Sequence, residues 1–214
     1  MIAVIMGPPG SGKGTQADLL FKKYGYLKVS TGDAIRKQIK LKSSVGNLAQ
    51  DIVAKGGLVP DDIIFQMVRI DLEASKGKMV ILDGFPRNIA QAEMLESLNR
   101  EHPVTGCIHL MVDHNVLIER LSGRRLCPIC NATFHIHLAA PKLAGICDKC
   151  GSGLIQRDDD TEASIRVRLE IYNESSAPII EFYKSRGIYF AVSGEGDQSD
   201  IFDEISAIVE EMTG

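Results

Sequence analysis

Residues 7–15 read Gly-Pro-Pro-Gly-Ser-Gly-Lys-Gly-Thr and follow directly on the apolar run Met1–Met6. A short buried strand that breaks into glycines and opens a lysine-bearing helix is suited to holding phosphate. Gly7, Gly10 and Gly12 let the backbone turn tightly and aim its N–H groups inward, and a helix from about Lys13 adds the positive end of its dipole. The Lys13 ammonium is placed to reach terminal phosphates. Ser or Thr usually follows such a lysine at once. Here Gly14 intervenes, which leaves Thr15 as the hydroxyl for a magnesium shell. The competing reading is a glycine-rich strand–helix turn that binds nothing.

Outward from this loop, short apolar runs alternate with helix-period segments, the pattern of an α/β parallel sheet. Strands are expected at Ile2–Met6, Leu27–Val29, Met79–Leu82, Cys107–Val112 and Ile188–Val192. Helices are expected near 13–24, 61–76, 88–100, 115–122, 161–185 and 199–212. Two regions break the rhythm. Residues 30–59 read as short helices that open on the capping candidate Ser30-Thr31 and end at Gly56-Gly57. Residues 123–160 hold four cysteines, Pro128, Pro141 and several glycines, too much irregular chain for a simple connection. The division expected is a core of 1–29, 60–122 and 161–214 with insertions at 30–59 and 123–160, two flaps over a cleft at the carboxyl ends of the strands.

A chain of 214 residues suits one main domain with a sizeable core, and 44% apolar with 24% charged residues is ordinary for a globular protein. The net charge of −4 offers no electrostatic case for a nucleic-acid or membrane surface, so any positive field must be local. No apolar stretch has the length to span a bilayer. Met1–Met6 lacks a basic leader and a cleavage site and is read as a core strand of a cytoplasmic protein.

Cys127, Cys130, Cys147 and Cys150 form two Cys-x2-Cys pairs, which usually means tetrahedral zinc, with iron–sulfur ligation or two disulfides as alternatives. Cys107 stands alone in an apolar run and is expected as a small buried hydrophobe. Asp83 ends a strand beside the phosphate loop, where a carboxylate can hold a magnesium water shell or simply cap the next helix. Arg36, Arg87, Arg124, Arg125, Arg157, Arg166 and Arg168 fall in or beside the flaps and the cleft-facing ends. Phosphoryl transfer needs in-line alignment and spread positive charge, which guanidinium forks supply bidentately. Arg166 and Arg168 lie two positions apart on a helix, so only one faces the cleft. Asp158-Asp159-Asp160 either complements the start of the following helix or orients neighbouring arginines. His135 and His137 are read as flap surface or packing, whereas His102, His109 and His114 give no clear signal.

In this order along the chain, these residues resemble the adenylate kinase family, in its longer bacterial form with a zinc-bearing lid. The matching segments are 7–16, Ser-Thr-Gly-Asp at 30–33, Leu-Val-Pro-Asp at 58–61, Leu-Asp-Gly-Phe-Pro-Arg at 82–87 with Gln91, and Gly-Arg-Arg at 123–125. Arg157 with Asp159-Asp160 and the run Arg166-x-Arg168-Leu169 complete the set. The resemblance implies a P-loop nucleoside monophosphate kinase fold: a five-stranded parallel sheet flanked by helices, with a helical AMP-binding flap and a zinc-bearing lid. It implies that Gly10, Ser11, Gly12, Lys13, Gly14, Thr15, Arg124, Thr133, Phe134 and Gly196 hold ATP. It assigns AMP to Thr31, Arg36, Gly57, Leu58, Val59, Gly84, Phe85, Pro86, Arg87 and Gln91, with Gln91 reading the adenine edge and Arg157 and Arg168 bridging toward the transferring group. Thr133-Phe134 departs from the family's common Thr-Tyr, which removes a phenol while keeping a ring.

The expected activity is reversible phosphoryl transfer from Mg-ATP to AMP giving two ADP, by a monomer with structural Zn²⁺ and no nucleic-acid or membrane partner. Lys13, Arg87, Arg124, Arg157 and Arg168 are the expected catalytic groups. Two rivals are a UMP or CMP kinase on the same scaffold and a zinc-ribbon nucleic-acid module carried by an ATPase. Gln91 and the cysteine-bearing lid count against the first. The acidic charge and the absence of a basic–aromatic stripe count against the second.

Overall fold

The computed structural model describes residues 1–75, 77–98 and 101–213. The opening apolar run forms β1 (Ile2–Met6), buried at every position, as expected of a strand covered on both faces. It is the middle strand of a five-stranded sheet with β2 (Leu27–Ser30), β3 (Val80–Asp83), β4 (Val104–Met111) and β7 (Tyr189–Ser193), in the order β2-β3-β1-β4-β7. All four pairings are parallel, so every carboxyl end lies on one edge of the sheet. That edge is where open α/β sheets bind ligands.

Alternation along β1 sorts the core into two layers. Ile2, Val4 and Met6 face Val68 and Leu72 of α4 (Asp61–Ser75) and Ile179 and Tyr183 of α7 (Glu162–Lys184). Ala3 and Ile5 face Leu20 of α1 (Lys13–Tyr24) and Ile205 and Val209 of α8 (Gln198–Thr213). A third cluster joins Leu117 and Leu121 of α6 (His114–Ser122) to Ile165 and Leu169 of α7.

The segment after β2 carries α2 (Thr31–Lys40) and α3 (Ser44–Ala54), capped by Ser30, which accepts from the Asp33 N–H, and by Ser43, which accepts from the Gly46 N–H. The remaining helix on the first face is α5 (Ile89–Glu96), capped by Asn88. The cysteine region opens with an antiparallel pair, β5 (Arg124–Leu126) and β6 (Thr133–His135). Beyond it the chain is held by isolated bridges, Leu126 to Ile155 and Ile146 to Gly153.

Two boundaries differ from the sequence expectation by more than one residue. β4 begins at Val104 rather than Cys107, because Val104 and Gly106 pair with Ile2 and Ala3 across an irregular register. Pairing with a central strand overrides the weak strand preference of Gly106. α5 stops at Glu96, ahead of the expected end. Residues 99 and 100, like residue 76 at the expected end of α4, lie outside the described residues.

Candidate active site

Beyond β1 the backbone takes left-handed values at Gly10 (φ +86°) and Gly12 (φ +95°). A Cβ on Gly10 would come within 2.9 Å of Leu121 Cγ, so the loop packs against α6 only as glycine. Gly12 caps α1 without a side chain. The first N–H groups of the helix, which have no helical acceptor, therefore point unobstructed into the cleft. Lys13 Nζ donates to the carbonyls of Gly7 (2.7 Å) and Pro8 (2.8 Å) of the same loop. Burial pushes its pKa down to about 8; Asp83 opposes that shift, while Arg87, Arg168 and Arg124 reinforce it. The ammonium thus waits on neutral carbonyls among cations, a setting that an anion would relieve.

Asp83 ends β3 at the same edge, and its carboxylate lies so near Gly14 that a Cβ there would sit 3.2 Å from Oδ2. Thr15, on the first turn of α1, is exposed to the cleft. A carboxylate and a hydroxyl flanking the phosphate loop are hard oxygen donors suited to the water shell of Mg²⁺.

The cleft has a volume of about 1270 Å³. Its walls include the whole loop from Gly10 to Thr15, Leu58, Asp83, Gly84, Pro86, Thr133, Phe134 and Gly196. Arg36, Arg87, Arg120, Arg124, Arg157 and Arg168 line it as well. A smaller cavity of about 60 Å³ adjoins it, lined by Thr31, Gly57, Leu58, Val59, Gly84, Arg87 and Gln91 among others. Phe85 lines neither, because its ring is buried in the core under the sheet. Lys40 of α2 donates to the Pro128 carbonyl (3.4 Å), so the helical segment and the cysteine segment touch.

Carboxylates hold these arginines in place. Asp160, whose side chain is wholly buried, accepts from Arg124 Nε (2.7 Å) and Nη2 (2.5 Å) and from Arg168 Nη1 (3.1 Å). Arg168 also reaches the Asp159 carboxylate at 3.1 Å, and Arg36 pairs with Asp33 at 2.6 Å. Burial alone would raise the Asp159 pKa, but Arg168, Arg36, Arg124 and Arg157 outweigh it and hold the group below its ordinary value. Arg157 is pushed down to about 10 by burial and then by Arg124 and Arg36. Its Nε is buried without a hydrogen-bond partner, although the residue lines the cleft. Of the acidic run, Asp159 and Asp160 orient arginines, while Asp158 is exposed and Thr161 supplies the cap of α7. Arg166 pairs with Glu162 on the outer surface, so Arg168 is the one of the two that faces the cleft. Arg125 donates to the carbonyls of Ser122 and Arg124 and stays out of the cleft wall.

Around the smaller cavity, Thr31 Oγ1 and Arg87 Nε both donate to the Gly84 carbonyl at 2.8 Å. Gln91 is almost fully buried; its Oε1 accepts from the Arg87 N–H (2.7 Å) and its Nε2 donates to Asp61 (2.6 Å).

The sulfurs of Cys127, Cys130, Cys147 and Cys150 lie within 4.8 Å of one another. The Cys127–Cys150 and Cys130–Cys147 separations are 3.4 and 3.5 Å, far from a disulfide bond. Four thiolates about 2.3 Å from a tetrahedral zinc would stand about 3.8 Å apart, close to what is found. The set therefore fits zinc. His135 is not a competitor: its Nε2 faces the Glu119 carbonyl (3.1 Å) and its Nδ1 accepts from the N–H groups of His137 and Leu138. Cys107 is buried, and burial drives its thiol pKa upward.

Sequence reasoning missed three groups. Arg120 lines the cleft and donates to the Gly194 carbonyl (2.9 Å); its place in α6, just ahead of Arg124, was the available signal. Tyr172, one turn after Arg168 on the same face of α7, lines the cleft and meets His109 Nε2 at 2.7 Å. His109 also meets Tyr189 at 2.8 Å, and burial, then Lys13 and Lys184, push its pKa down to about 4. Asp61 lies in the Leu-Val-Pro-Asp segment that carries the family resemblance, but nothing local to it pointed to Gln91 as its partner.

A family model described as adenylate kinase matches residues 5–188. A protein of Thermodesulfovibrio yellowstonii named adenylate kinase is 43% identical over 213 residues, 98% of this chain and 99% of its own length. Another of that name from Caldanaerobacter subterraneus subsp. tengcongensis is 42% identical over 208 residues, covering 96% and 94% of the two chains. A third, from Hydrogenobaculum sp., is 41% identical over 211 residues, covering 98% and 100%.

Proposed function

The chain belongs to the adenylate kinase family, and on that premise we propose that its large cleft aligns Mg-ATP with AMP between two flaps, residues 30–59 and 123–160. As a member it is a phosphotransferase, catalysing reversible transfer from ATP to AMP to give two ADP and so balancing the adenine nucleotides. One observation carries the site reading: six arginines and Lys13 converge on a cleft of about 1270 Å³, above the roughly 300–1,000 Å³ usual for one small ligand.

In this reading the loop from Gly10 to Thr15 receives the ATP phosphates, Lys13 exchanging its loop carbonyls for the terminal ones. Arg124, Thr133, Phe134 and Gly196 complete the ATP side. AMP lies toward Thr31, Arg36, Gly57, Leu58, Val59, Gly84, Pro86, Arg87 and Gln91, with Phe85 supporting that loop from the core. An AMP phosphate oxygen attacks the γ-phosphorus as the bond to the β-bridging oxygen breaks, and ADP leaves carrying that electron pair. The nucleophile is already anionic, so no general base is required. Arg87, Arg124, Arg157 and Arg168 spread positive charge over the oxygens in flight, and Arg124 and Arg168, already held by Asp159 and Asp160, need little reorganisation. Asp83 and Thr15 would hold Mg²⁺ through its water shell, and the ion would supply neutralisation of phosphate charge. Cys127, Cys130, Cys147 and Cys150 would hold zinc, which would stiffen the second flap away from the substrates.

The Lys40–Pro128 contact supports flap closure that excludes water from the transferring group. Lids of adenylate kinases are themselves among the known examples of such closure. Among the described residues no helix is long and apolar enough to cross a membrane. We read the protein as a cytoplasmic monomer acting on free nucleotides, with no nucleic-acid or membrane partner. The test is Mg-ATP incubated separately with AMP, UMP, CMP and GMP, with products resolved by anion exchange. Strong ADP formation with AMP alone, and its reversal from pure ADP, is expected. A pyrimidine preference would overturn the role given to Gln91.

A further inference from the structure

We infer that Asp61 is a positioning residue for acceptor-base specificity: it fixes which way round the Gln91 side-chain amide stands. The inference rests on the reading of Gln91 as the contact to the AMP base.

An amide oxygen and nitrogen are nearly the same size, so the orientation of a glutamine is decided by its partners. Gln91 has two, and they agree. The Arg87 N–H can only donate, and it meets Oε1 at 2.7 Å. The Asp61 carboxylate accepts, and it meets Nε2 at 2.6 Å. A flipped amide would set N–H against N–H on one side and oxygen against carboxylate on the other.

Asp61 is itself held. Its two oxygens accept from Asn88 Nδ2 at 3.1 and 2.9 Å, and Asn88 Oδ1 accepts from the Gln91 N–H at 2.8 Å. The three residues close a triangle between the first residue of α4 and the capped start of α5, one edge of it through the Gln91 backbone N–H. Asp61 does not line the smaller cavity, whereas Gln91 does. The carboxylate therefore acts from behind Gln91 and does not touch the ligand.

After these bonds Gln91 keeps one Nε2 hydrogen and one Oε1 lone pair. Adenine presents an amino donor at C6 and an acceptor at N1, which the spare acceptor and donor match. Hypoxanthine presents the reverse, an oxygen at C6 and an N1–H. A flipped amide would suit it as well as the observed amide suits adenine. The group that forbids the flip thus sets the preference for 6-amino over 6-oxo purines.

A merely structural role, a helix-start acid tying α4 to α5, predicts a different result. The experiment measures kcat and KM for AMP and for inosine monophosphate with saturating Mg-ATP, together with the KM for ATP and the Tm. It compares the unaltered protein with Asp61→Asn, Asp61→Ala and Gln91→Leu. In Asp61→Asn the side chain keeps its shape but can turn its own NH2 toward Gln91. The expected result is an AMP KM about tenfold higher, an ATP KM unchanged, and an AMP-over-inosine-monophosphate ratio in kcat/KM that falls about tenfold, the scale of one hydrogen bond. Asp61→Ala should give the same split. If both Asp61 variants keep the ratio while Gln91→Leu collapses it, the role of Asp61 is wrong and that of Gln91 stands. If Gln91→Leu keeps the ratio, both fall. A loss of Tm with both KM values rising together and the ratio unchanged would make Asp61 structural and overturn the inference.

Discussion

Replacing Asp160 by alanine tests how the cleft tolerates its own charge. The Asp160 side chain is fully enclosed, while Arg124 and Arg168 are each 16% exposed, so one carboxylate is a shared counterion for two guanidiniums. Its removal leaves both cations with a lost partner and facing each other. Breaking a buried pair from one side costs about 3–5 kcal/mol. Both arginines retain access to cleft water, which places this case near the lower figure, about 3 kcal/mol. At about 2–4 °C per kcal/mol for a chain of this size, Tm should fall by about 6–12 °C. The freed arginines also lose their aim, so kcat should fall about 100-fold. Scanning calorimetry with and without tripolyphosphate separates charge from packing. An anion between the two guanidiniums should recover more Tm in Asp160→Ala than in the unaltered protein, and Asp160→Asn should fall between the two. A Tm within about 2 °C of the unaltered protein, with no added gain from tripolyphosphate, would refute the shared-counterion reasoning.

Lys13, whose pKa burial lowers to about 8, should take up a proton when polyphosphate raises that value, with more proton taken up per ATP at pH 8.5 than at pH 7.5. Calorimetry in buffers of different ionisation enthalpy reads this, and Lys13→Met should abolish both the uptake and transfer. Elemental analysis should find about one zinc per chain, and Cys127→Ser should lower Tm by several degrees while kcat stays within about twofold, since the thiolates hold the flap and not the substrate. His109 stays neutral in the fold down to about pH 4, whereas the unfolded chain binds that proton below about 6.5. Stability should therefore decline as pH falls from 6.5 toward 4, and His109→Gln should flatten that slope; an unchanged slope would exclude His109 as its source. Asp33 and Asp159, held below their ordinary values, contribute stability that is fully present above about pH 4 and lost only as pH falls further.

What the sequence made legible was local or periodic. The phosphate loop is contiguous, and its Gly10 and Gly12 sit where the backbone turns left-handed, so residues 7–15 carried their own geometry. Helical spacing sufficed to separate Arg166 from Arg168. Two Cys-x2-Cys pairs sufficed for the sulfur cluster, since each pair is a turn and only the meeting of the two is tertiary. The rest depended on distant partners. Asp61 and Gln91 are 30 positions apart, Arg124 and Asp160 are 36, and His109 and Tyr172 are 63. No period links such residues, and an acid at a helix start is well explained without them. Phe85 marks the opposite case: it sits inside a contiguous motif, yet its ring goes to the core and only its neighbours reach the cleft.

The charge pattern explains why these distant acids matter. The chain carries a net charge of −4, yet six arginines line one cleft. Without internal counterions, that array would oppose its own closure. With complete pairing it would have little left to offer a phosphate. Asp160 and Asp159 settle the matter partway: they fix Arg124 and Arg168 in place, while the buried Arg157 Nε keeps no partner. Lys13, resting on neutral carbonyls with its proton loosened by burial, is in the same condition. In the proposed reading, anionic substrates would supply the missing charge, and the closed arrangement would be most favourable with both present. Occupancy of only one side leaves part of the array uncompensated, which disfavours the closed cleft in which ATP could be attacked by the wrong nucleophile.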